Sequence, residues 1–386
     1  MTGARQVACW GLNYYGQLGN GQSSYQLTPG DVSGLASGIS AISSGATHTC
    51  VLTTGGAVKC WGDNNNGQLG DGTGLQRYTI IAVAGLSSGV AQISGSGDHT
   101  CALTSLGGVK CWGLSGLADV SGLTSGVKAI SVSQDHSCAV TTAGTIKCWG
   151  DNSWGQLGDG TLNPSLTNPV AVSGISSGAS AVSVAFGHTC TLVSGGVKCW
   201  GLKQYGELGD GTSNDSSTPV NVSGLASGVS AVITGAQSPG GSAFSCAFVT
   251  VGAVKCWGTS LVTLSSPTPL SMNGFTTGVS KINAGDNHFC AVTADGRVKC
   301  MGSNQFGPLG DGQGYDGTAY AYGLAADSIL DVSAGREHTC ALTSAGGVKC
   351  WGDNSYGQLG YGEARSLPRR AWSWALDRAP TSISRW

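Results

Sequence analysis

The sequence predicts an all-β fold, a seven-bladed β-propeller of four-stranded antiparallel blades, and three observations lead to this prediction. Glycine supplies 65 of the 386 residues and only 10% of the residues are charged. This composition disfavours helices, because each interior glycine costs a helix about 1 kcal/mol. A unit of about 50 residues recurs along the chain, which is typical of repeat architectures. Each unit contains four strand-like pieces joined by Gly-Gly or Asp-Gly turns, the content of one propeller blade.

Two short elements define the repeat. An H-T-C element and a K-C-W-G element follow each other in units such as ISSGATHTCVLTTGGAVKCWGDNNNGQLGDGT, which spans residues 42–73. An eighth copy of the second element, A-C-W-G, stands at Cys9 without a preceding H-T-C. We therefore assign residues 1–362 to one propeller, made of a partial repeat at 5–34 and seven repeats at about 40–362. Residues 363–386 form a tail outside the repeat.

The pattern H-T-x-A-L-x-x-x-G-x-V-x-x-W-G-x-N-x-x-G-Q-L-G resembles the regulator-of-chromosome-condensation repeat over roughly residues 5–362. Met301 replaces the tryptophan once, and the units near Gly113 and Gly258 lack the G-Q-L-G loop. The resemblance implies a propeller that works as an interaction protein, as does a secreted bacterial β-lactamase inhibitor with a similar propeller. A plant ultraviolet-B photoreceptor of the family uses tryptophans two residues before the repeat histidine. This chain has none there, and those positions hold Ala46, Gly97, Gln134, Phe186, Asp286 and Arg336.

Fourteen of the 15 cysteines form seven pairs, one in each hairpin. Six pairs are 10 residues apart, and the seventh is 9 apart with a turn shortened to match, so the two cysteines stay opposed. Opposed strand residues lie close enough for a disulfide, although buried free thiols are the alternative. The predicted disulfides are Cys50–Cys60, Cys101–Cys111, Cys138–Cys148, Cys190–Cys199, Cys246–Cys256, Cys290–Cys300 and either Cys340–Cys350 or Cys9–Cys340.

Seven disulfides predict a secreted, periplasmic or extracellular protein. The chain begins M-T-G-A-R-Q-V-A-C-W-G, with no apolar signal core, so we expect that the natural export signal is missing from this sequence. The net charge of −2 gives no reason to expect binding to nucleic acid. No apolar run approaches the roughly 20 residues that a membrane span needs.

All six histidines stand directly before the H-T-C threonine or its equivalent, and Phe244 takes this place in the one remaining repeat. The structural interpretation is that each ring bonds a nearby carbonyl and fixes its turn. The alternative is a metal-dependent hydrolase, in which zinc or another divalent transition metal activates water. Phe244 would then open one side of the ring for a substrate. The candidate ligands are His48, His99, His136, His188, His288 and His338, and the candidate catalytic acids are Asp98, Asp135 and Glu337.

The sequence therefore predicts an exported, monomeric interaction or scaffold propeller that binds its partner through one face. Phe186, Phe244 and Arg336 are the predicted binding-face residues. The partner is a protein or a surface polymer, the latter bound through exposed tyrosines such as Tyr14, Tyr15 and Tyr205.

Overall fold

The structure is a computed structural model that describes most of the chain between residues 8 and 353. The residues left out of this range are 12, 16, 19, 25, 33–34, 36, 114–117, 236–242, 251, 260–264, 286–287, 313–314, 322–323, 325–328, 335–337 and 345–347. The predicted tail at 363–386 lies outside the described residues. The described residues form strands and turns, and they include no helix long and apolar enough to cross a membrane.

The structure is a seven-bladed β-propeller, and each blade is an antiparallel sheet with its strands in chain order. Blade 1 comprises β3 Ile39–Ser44, β4 His48–Thr53, β5 Val58–Gly62 and β6 Arg77–Ala82. Blade 2 comprises β7 Val90–Ser96, β8 His99–Thr104, β9 Val109–Trp112 and β10 Ala118–Asp119. Blade 3 comprises β11 Val127–Val132, β12 His136–Thr141, β13 Ile146–Gly150 and β14 Ser165–Ala171. Blade 4 comprises β15 Ala179–Ala185, β16 His188–Val193, β17 Gly196–Gly201 and β18 Ser216–Asn221.

The remaining blades follow the same order. Blade 5 comprises β19 Val229–Gly235, β20 Phe244–Val249, β21 Val254–Gly258 and β22 Ser266–Ser271. Blade 6 comprises β23 Val279–Ala284, β24 His288–Thr293, β25 Val298–Gly302 and β26 Gly317–Tyr320. Blade 7 has three described strands, β27 Ile329–Ala334, β28 His338–Thr343 and β29 Val348–Gly352. The partial repeat forms a separate two-stranded sheet of β1 Ala8–Gly11 and β2 Gln26–Asp31.

Disulfides join the two central strands of every blade. The bonded pairs are Cys50–Cys60, Cys101–Cys111, Cys138–Cys148, Cys190–Cys199, Cys246–Cys256, Cys290–Cys300 and Cys340–Cys350. Cys340 therefore pairs within its own hairpin, and Cys9 is free. Burial raises the pKa of the Cys9 thiol to about 12.

The shortened hairpin of blade 4 keeps its register through a two-residue turn. Ser194 has a φ of 51° and Gly195 a φ of 81°, and two left-handed residues in succession are typical of a type I′ turn. Cys190 and Cys199 therefore remain directly opposite each other.

The hydrophobic core lies between the blades. The cluster between blades 1 and 2 contains Cys50 and Leu52 of the first sheet together with Ala102 and Trp112 of the second. Such face-to-face packing of inner sheet surfaces gives each blade a buried side against its neighbour. The propeller has two ends. The loop face carries the turns before the second strands and the loops after the third strands, and the hairpin face carries the turns between second and third strands.

Candidate functional site

The histidine ring lies on the loop face. Each histidine is the first residue of its blade's second strand, and in five of the six the Nε2 atom lies within hydrogen-bond distance of a hydroxyl in the next blade. That hydroxyl belongs to the threonine or serine that directly follows the histidine position of the next blade. The five pairs are His48–Thr100 at 2.7 Å, His99–Ser137 at 3.1 Å, His136–Thr189 at 2.7 Å, His188–Ser245 at 3.1 Å and His288–Thr339 at 2.8 Å.

The hydroxyl also determines which histidine nitrogen carries the proton. Thr189 Oγ1 donates to the carbonyl oxygen of Gln156 at 3.0 Å, and Trp200 Nε1 donates to the same oxygen at 2.8 Å. A hydroxyl has a single hydrogen, so Thr189 can only accept from His136, whose Nε2 must be the donor. Blades 3 and 4 are thus joined by a histidine, a hydroxyl, an indole and a loop carbonyl, a set that we call the latch.

The same latch recurs at two further interfaces. Between blades 4 and 5, Ser245 and Trp257 donate to the Glu207 carbonyl at 3.1 and 2.7 Å. Between blades 6 and 7, Thr339 and Trp351 donate to the Pro308 carbonyl at 2.9 and 2.7 Å. Sequence reasoning expected each histidine to bond a nearby carbonyl and missed the hydroxyl. The sequence does contain a pattern that could have predicted the hydroxyl, because a threonine or serine follows the histidine position in every repeat except one.

The loop glycine after each carbonyl lets the tryptophan approach. Gly158 has a φ of 73°, and a Cβ there would lie 2.5 Å from Trp200 Nε1. Glycine is therefore required both by the backbone conformation and by the indole. The second residue of the G-Q-L-G motif supplies the carbonyl that accepts from the latch, which gives this motif a structural role in the repeat.

Burial disfavours the charged form of five of the ring histidines. It lowers the pKa of His48, His99, His188 and His288 to about 4, with neighbouring charges as smaller influences, and it also lowers the pKa of His338. The Nδ1 atoms of His48, His99 and His288 are buried without a hydrogen-bond partner. Protonation would therefore place an uncompensated charge in the core, which is costly.

Asp135 supports the latch between blades 3 and 4. Its carboxylate accepts from Ser133 Oγ at 2.5 Å and from the backbone N–H of Gly187 in blade 4 at 2.9 Å, and it lies 3.1 Å from His136 Nδ1. Burial alone would raise the pKa of Asp135, but these hydrogen bonds and the nearby imidazole hold it well below its usual range. Asp135 is therefore ionised and accepts hydrogen bonds from both blades, and its catalytic role stays a prediction.

The structure describes two of the three predicted catalytic acids, and Asp135 lies beside His136 Nδ1. Asp98 accepts from Asn66 at 3.2 Å, and Glu337 lies outside the described residues. No group of three or more histidine, cysteine, aspartate or glutamate side chains that could hold a metal ion occurs among the described residues. Zinc or another divalent metal at the ring stays a prediction, and elemental analysis of the purified protein would check it.

The interface between blades 5 and 6 has an apolar set in place of the latch. Phe244 replaces the histidine, Phe289 the hydroxyl and Met301 the tryptophan, and all three belong to one buried cluster with Phe275. Phe244 is 0% exposed, and a Cβ on its cross-strand partner Gly235 would lie 2.5 Å from the ring. The prediction that Phe244 belongs to the binding face and opens one side of the histidine ring was wrong, because the phenyl group of Phe244 is buried and fills the interface.

Aromatic residues occupy one recurring position on the loop face, directly before the first glycine of the G-Q-L-G motif or its equivalent. Tyr15 and Tyr205 are each 39% exposed and Phe306 is 43% exposed. The equivalent Trp154 packs against Phe186 of the next blade, with ring centroids 5.3 Å apart. Phe186 therefore lies on this face, and its role in binding stays a prediction, whereas Arg336 lies outside the described residues.

Polar side chains inside each loop hold these aromatic residues in place. Asn152 Nδ2 donates to the carbonyls of Thr161 and Asn163 at 3.1 and 3.0 Å, and its Oδ1 accepts from Leu157 N–H at 2.9 Å. In blade 4 the buried Lys203 takes the asparagine position and pairs with Asp210. The loop oxygens are thus used internally in the described loops.

Comparison with known proteins identifies this repeat. Models of the Regulator of chromosome condensation (RCC1) repeat match residues 39–68, 90–117, 127–156, 279–307 and 329–358, and also 6–52, 56–103 and 144–193. The matched stretches together span more than half of the chain. The protein belongs to the RCC1-repeat family. The stretch from 194 to 278, which the RCC1 models leave unmatched, contains blade 5, whose histidine position holds Phe244.

Relatives and solved structures agree with the family. The human probable E3 ubiquitin-protein ligase HERC4 is 30% identical over 231 residues, which is 58% of this chain and 18% of that protein. The Arabidopsis thaliana ultraviolet-B receptor UVR8 is 29% identical over 237 residues, 56% of this chain and 53% of that protein. This RCC1-repeat chain thus spans about half or less of the length of these relatives.

Two solved structures share the fold. Human WBSCR16 superposes with a TM-score of 0.70 at 23% identity, covering 88% of this chain and 100% of that one. Prp20p from Saccharomyces cerevisiae gives a TM-score of 0.65 at 19% identity, covering 88% and 92%. At these identities the RCC1-type propeller fold is shared, and the binding surfaces must be argued from this chain's own residues.

Proposed function

We propose that this RCC1-repeat propeller is an exported interaction module that binds a protein partner through its loop face. The observation that carries the proposal is the recurring aromatic position, filled by Tyr15, Trp154, Tyr205 and Phe306 in four of the five described loops. Aromatic side chains provide large contact areas at low entropic cost and are enriched at protein interfaces. A rigid propeller that presents them on one face is a preorganised binding surface.

The disulfides support export. One in each blade is the pattern of a protein that folds in an oxidising compartment, because reducing systems keep cytosolic thiols free. Prp20p, which shares the fold, was described with its binding properties to Gsp1p and histones. That example supports protein binding as a use of the fold, and the partner of this chain is a separate question.

Truncation of loop-face aromatic residues tests the proposal. Disulfide-bonded protein is immobilised and used to capture partners from the extracellular and periplasmic fractions of the source cells, and the captured partner is then purified for titration. Tyr205→Ala and Phe306→Ala should each weaken binding roughly 30-fold, the effect of losing an interface hot spot of about 2 kcal/mol. Light scattering of the same samples checks the predicted monomer.

Leu106→Ala is the matched control. Leu106 is 86% exposed in the hairpin turn of blade 2, so its truncation removes a similar apolar surface from the opposite face. The proposal is wrong if Leu106→Ala weakens binding as much as Tyr205→Ala does, or if neither loop-face variant changes it.

A further inference from the structure

The charged residues of the propeller are sorted between its two faces, although the net charge is only −2. The residue before the second cysteine of each hairpin is a lysine in all seven blades, from Lys59 in blade 1 to Lys349 in blade 7. Together with Lys128, Lys281 and Arg297, these residues give the hairpin face ten cations against four acids among the described residues. The described part of the loop face holds twelve acids against two cations.

Hydrogen bonds place the lysines at the hairpin face. Lys147 Nζ donates to the Gly122 carbonyl at 3.3 Å, and Lys299 Nζ donates to the Gly274 carbonyl at 3.2 Å. Both glycines lie in the turns that lead out of the preceding blade, beside its hairpin. Each lysine therefore bridges two blades and retains further N–H donors for a ligand.

The two faces do not neutralise each other. A strand of six residues at roughly 3.3 Å each separates them by about 20 Å, and the Debye length at physiological salt is about 8 Å. The field at the hairpin face is therefore set by its own charges. Asp119 and Asp295 on this face are paired with Lys110 and Arg297.

Several cations of the hairpin face have no protein partner. In the part of the chain that the structure describes, Lys59, Lys128, Lys255 and Lys281 make no ion pair or side-chain hydrogen bond, and Lys128 and Lys281 are exposed. An array of lysines spaced blade by blade around a face attracts a chain of negative charges more strongly than a single ion, because each contact adds to the same bound chain.

We infer that the hairpin face binds an acidic polysaccharide, a linear chain that carries carboxylate or sulfate groups. Lysine acts as a point charge without the planar two-pronged geometry of arginine, so the face suits repeated charge rather than one shaped group. Single-stranded nucleic acid fits less well, since unpaired bases need aromatic stacking surfaces. The exposed aromatic residue of this face among the described residues is Tyr320, which Arg297 and Lys299 already cover at 4.3 and 4.7 Å.

Binding to defined polyanions tests the inference. The intact, disulfide-bonded protein is titrated with heparin, with polygalacturonate and with a mixed-sequence DNA duplex at 50 and 150 mM salt. We expect both glycans to bind, with affinity that falls as salt rises. The double variant Lys128→Gln/Lys281→Gln should bind them about 25-fold more weakly, roughly fivefold per lysine.

Gln204→Glu/Gln305→Glu is the matched control, because it changes the net charge by the same amount at two exposed positions of the loop face. This variant should bind the glycans as the parent protein does. Equal weakening by both double variants, unchanged binding of the lysine variant, or absence of glycan binding at 50 mM salt would each overturn the inference. Binding of the DNA duplex as tight as that of the glycans would overturn the assignment to polysaccharide. Thermal unfolding of both variants verifies that they fold, and the result is independent of protein binding at the loop face.

Discussion

Blades 3 and 4 meet through hydrogen bonds, whereas blades 5 and 6 meet at the same place through apolar side chains. In the first case Thr189 and Trp200 donate to the Gln156 carbonyl, and His136 donates to the Thr189 hydroxyl. In the second, the corresponding histidine, hydroxyl and indole are all absent, and phenylalanine and methionine fill the volume. At this interface all three latch side chains are replaced together.

The physical reason lies in the cost of a buried polar group without a partner. A satisfied hydrogen bond contributes only about 1 kcal/mol net, but a buried donor or acceptor that loses its partner costs about 1 to 3 kcal/mol. An interface that keeps half of the latch would therefore be less stable than either complete set. A histidine at position 244 would have no hydroxyl to bond if Phe289 stayed, and a hydroxyl at position 289 would have no histidine if Phe244 stayed. Phe244 and Phe289 therefore differ from the repeat together.

The largest expected effect is that of pH on the latched interfaces. His48, His99, His188 and His288 have pKa values lowered to about 4 in the fold, against about 6.5 in an unfolded chain. The unfolded state therefore binds more protons between these values. The stability supplied by the neutral rings is complete above pH 6.5 and is lost as the pH falls towards 4. Each ring should cost about 1.4 kcal/mol per pH unit in that window, as measured by denaturant unfolding at pH 7, 6 and 5.

Two observations sharpen the pH prediction. Glu207 has the opposite effect on the pH dependence of stability, because burial raises the pKa of its carboxyl group. It is one group against four histidines. His48→Gln replaces the ring with an amide that can still hydrogen-bond Thr100 and does not titrate, so it should remove one ring's share of the slope. Equal free energies of unfolding at pH 7 and pH 5 would contradict the assignment of these four histidines as neutral rings in the folded protein.

A smaller effect is expected when the apolar interface is changed on one side. Phe289→Thr removes a fully buried ring and places a hydroxyl opposite Phe244, so it should destabilise the fold by about 3 to 5 kcal/mol. The double variant Phe244→His/Phe289→Thr restores the histidine–hydroxyl pair. It should therefore be more stable than the sum of the single changes predicts, by about 1 to 2 kcal/mol.

Denaturant unfolding of the two single variants and the double variant gives the coupling energy directly. Phe275 lies against Phe289, with ring centroids 5.1 Å apart, so Phe275→Leu serves as a control that loosens the same cluster without adding a polar group. Additive effects of Phe244→His and Phe289→Thr would contradict the view that these positions form one pair.

The sequence alone predicted the parts of the fold that repeat. Cysteine spacing gave the hairpin register, including the shortened turn at Ser194, because opposed strand positions depend only on local geometry. The partner of each histidine could not be derived this way, since Thr100 lies 52 residues from His48 and meets it only when blades pack. Phe244 was assigned to the surface because its position was compared with the other histidines and not with Phe289 in the following unit.

The smallest expected effect comes from removing one latch hydroxyl while its shape is kept. Thr189→Val leaves the His136 Nε2–H without its acceptor, whereas the Gln156 carbonyl retains the donor from Trp200. One orphaned donor should cost about 1 to 2 kcal/mol. Thr142→Val, at an exposed threonine of the blade 3 hairpin turn, should change the free energy of unfolding by less than about 0.5 kcal/mol. If the two substitutions lower the free energy of unfolding equally, the Thr189 hydroxyl contributes only packing. Side-chain packing would then hold the blades together at the latched interface as it does at the apolar one.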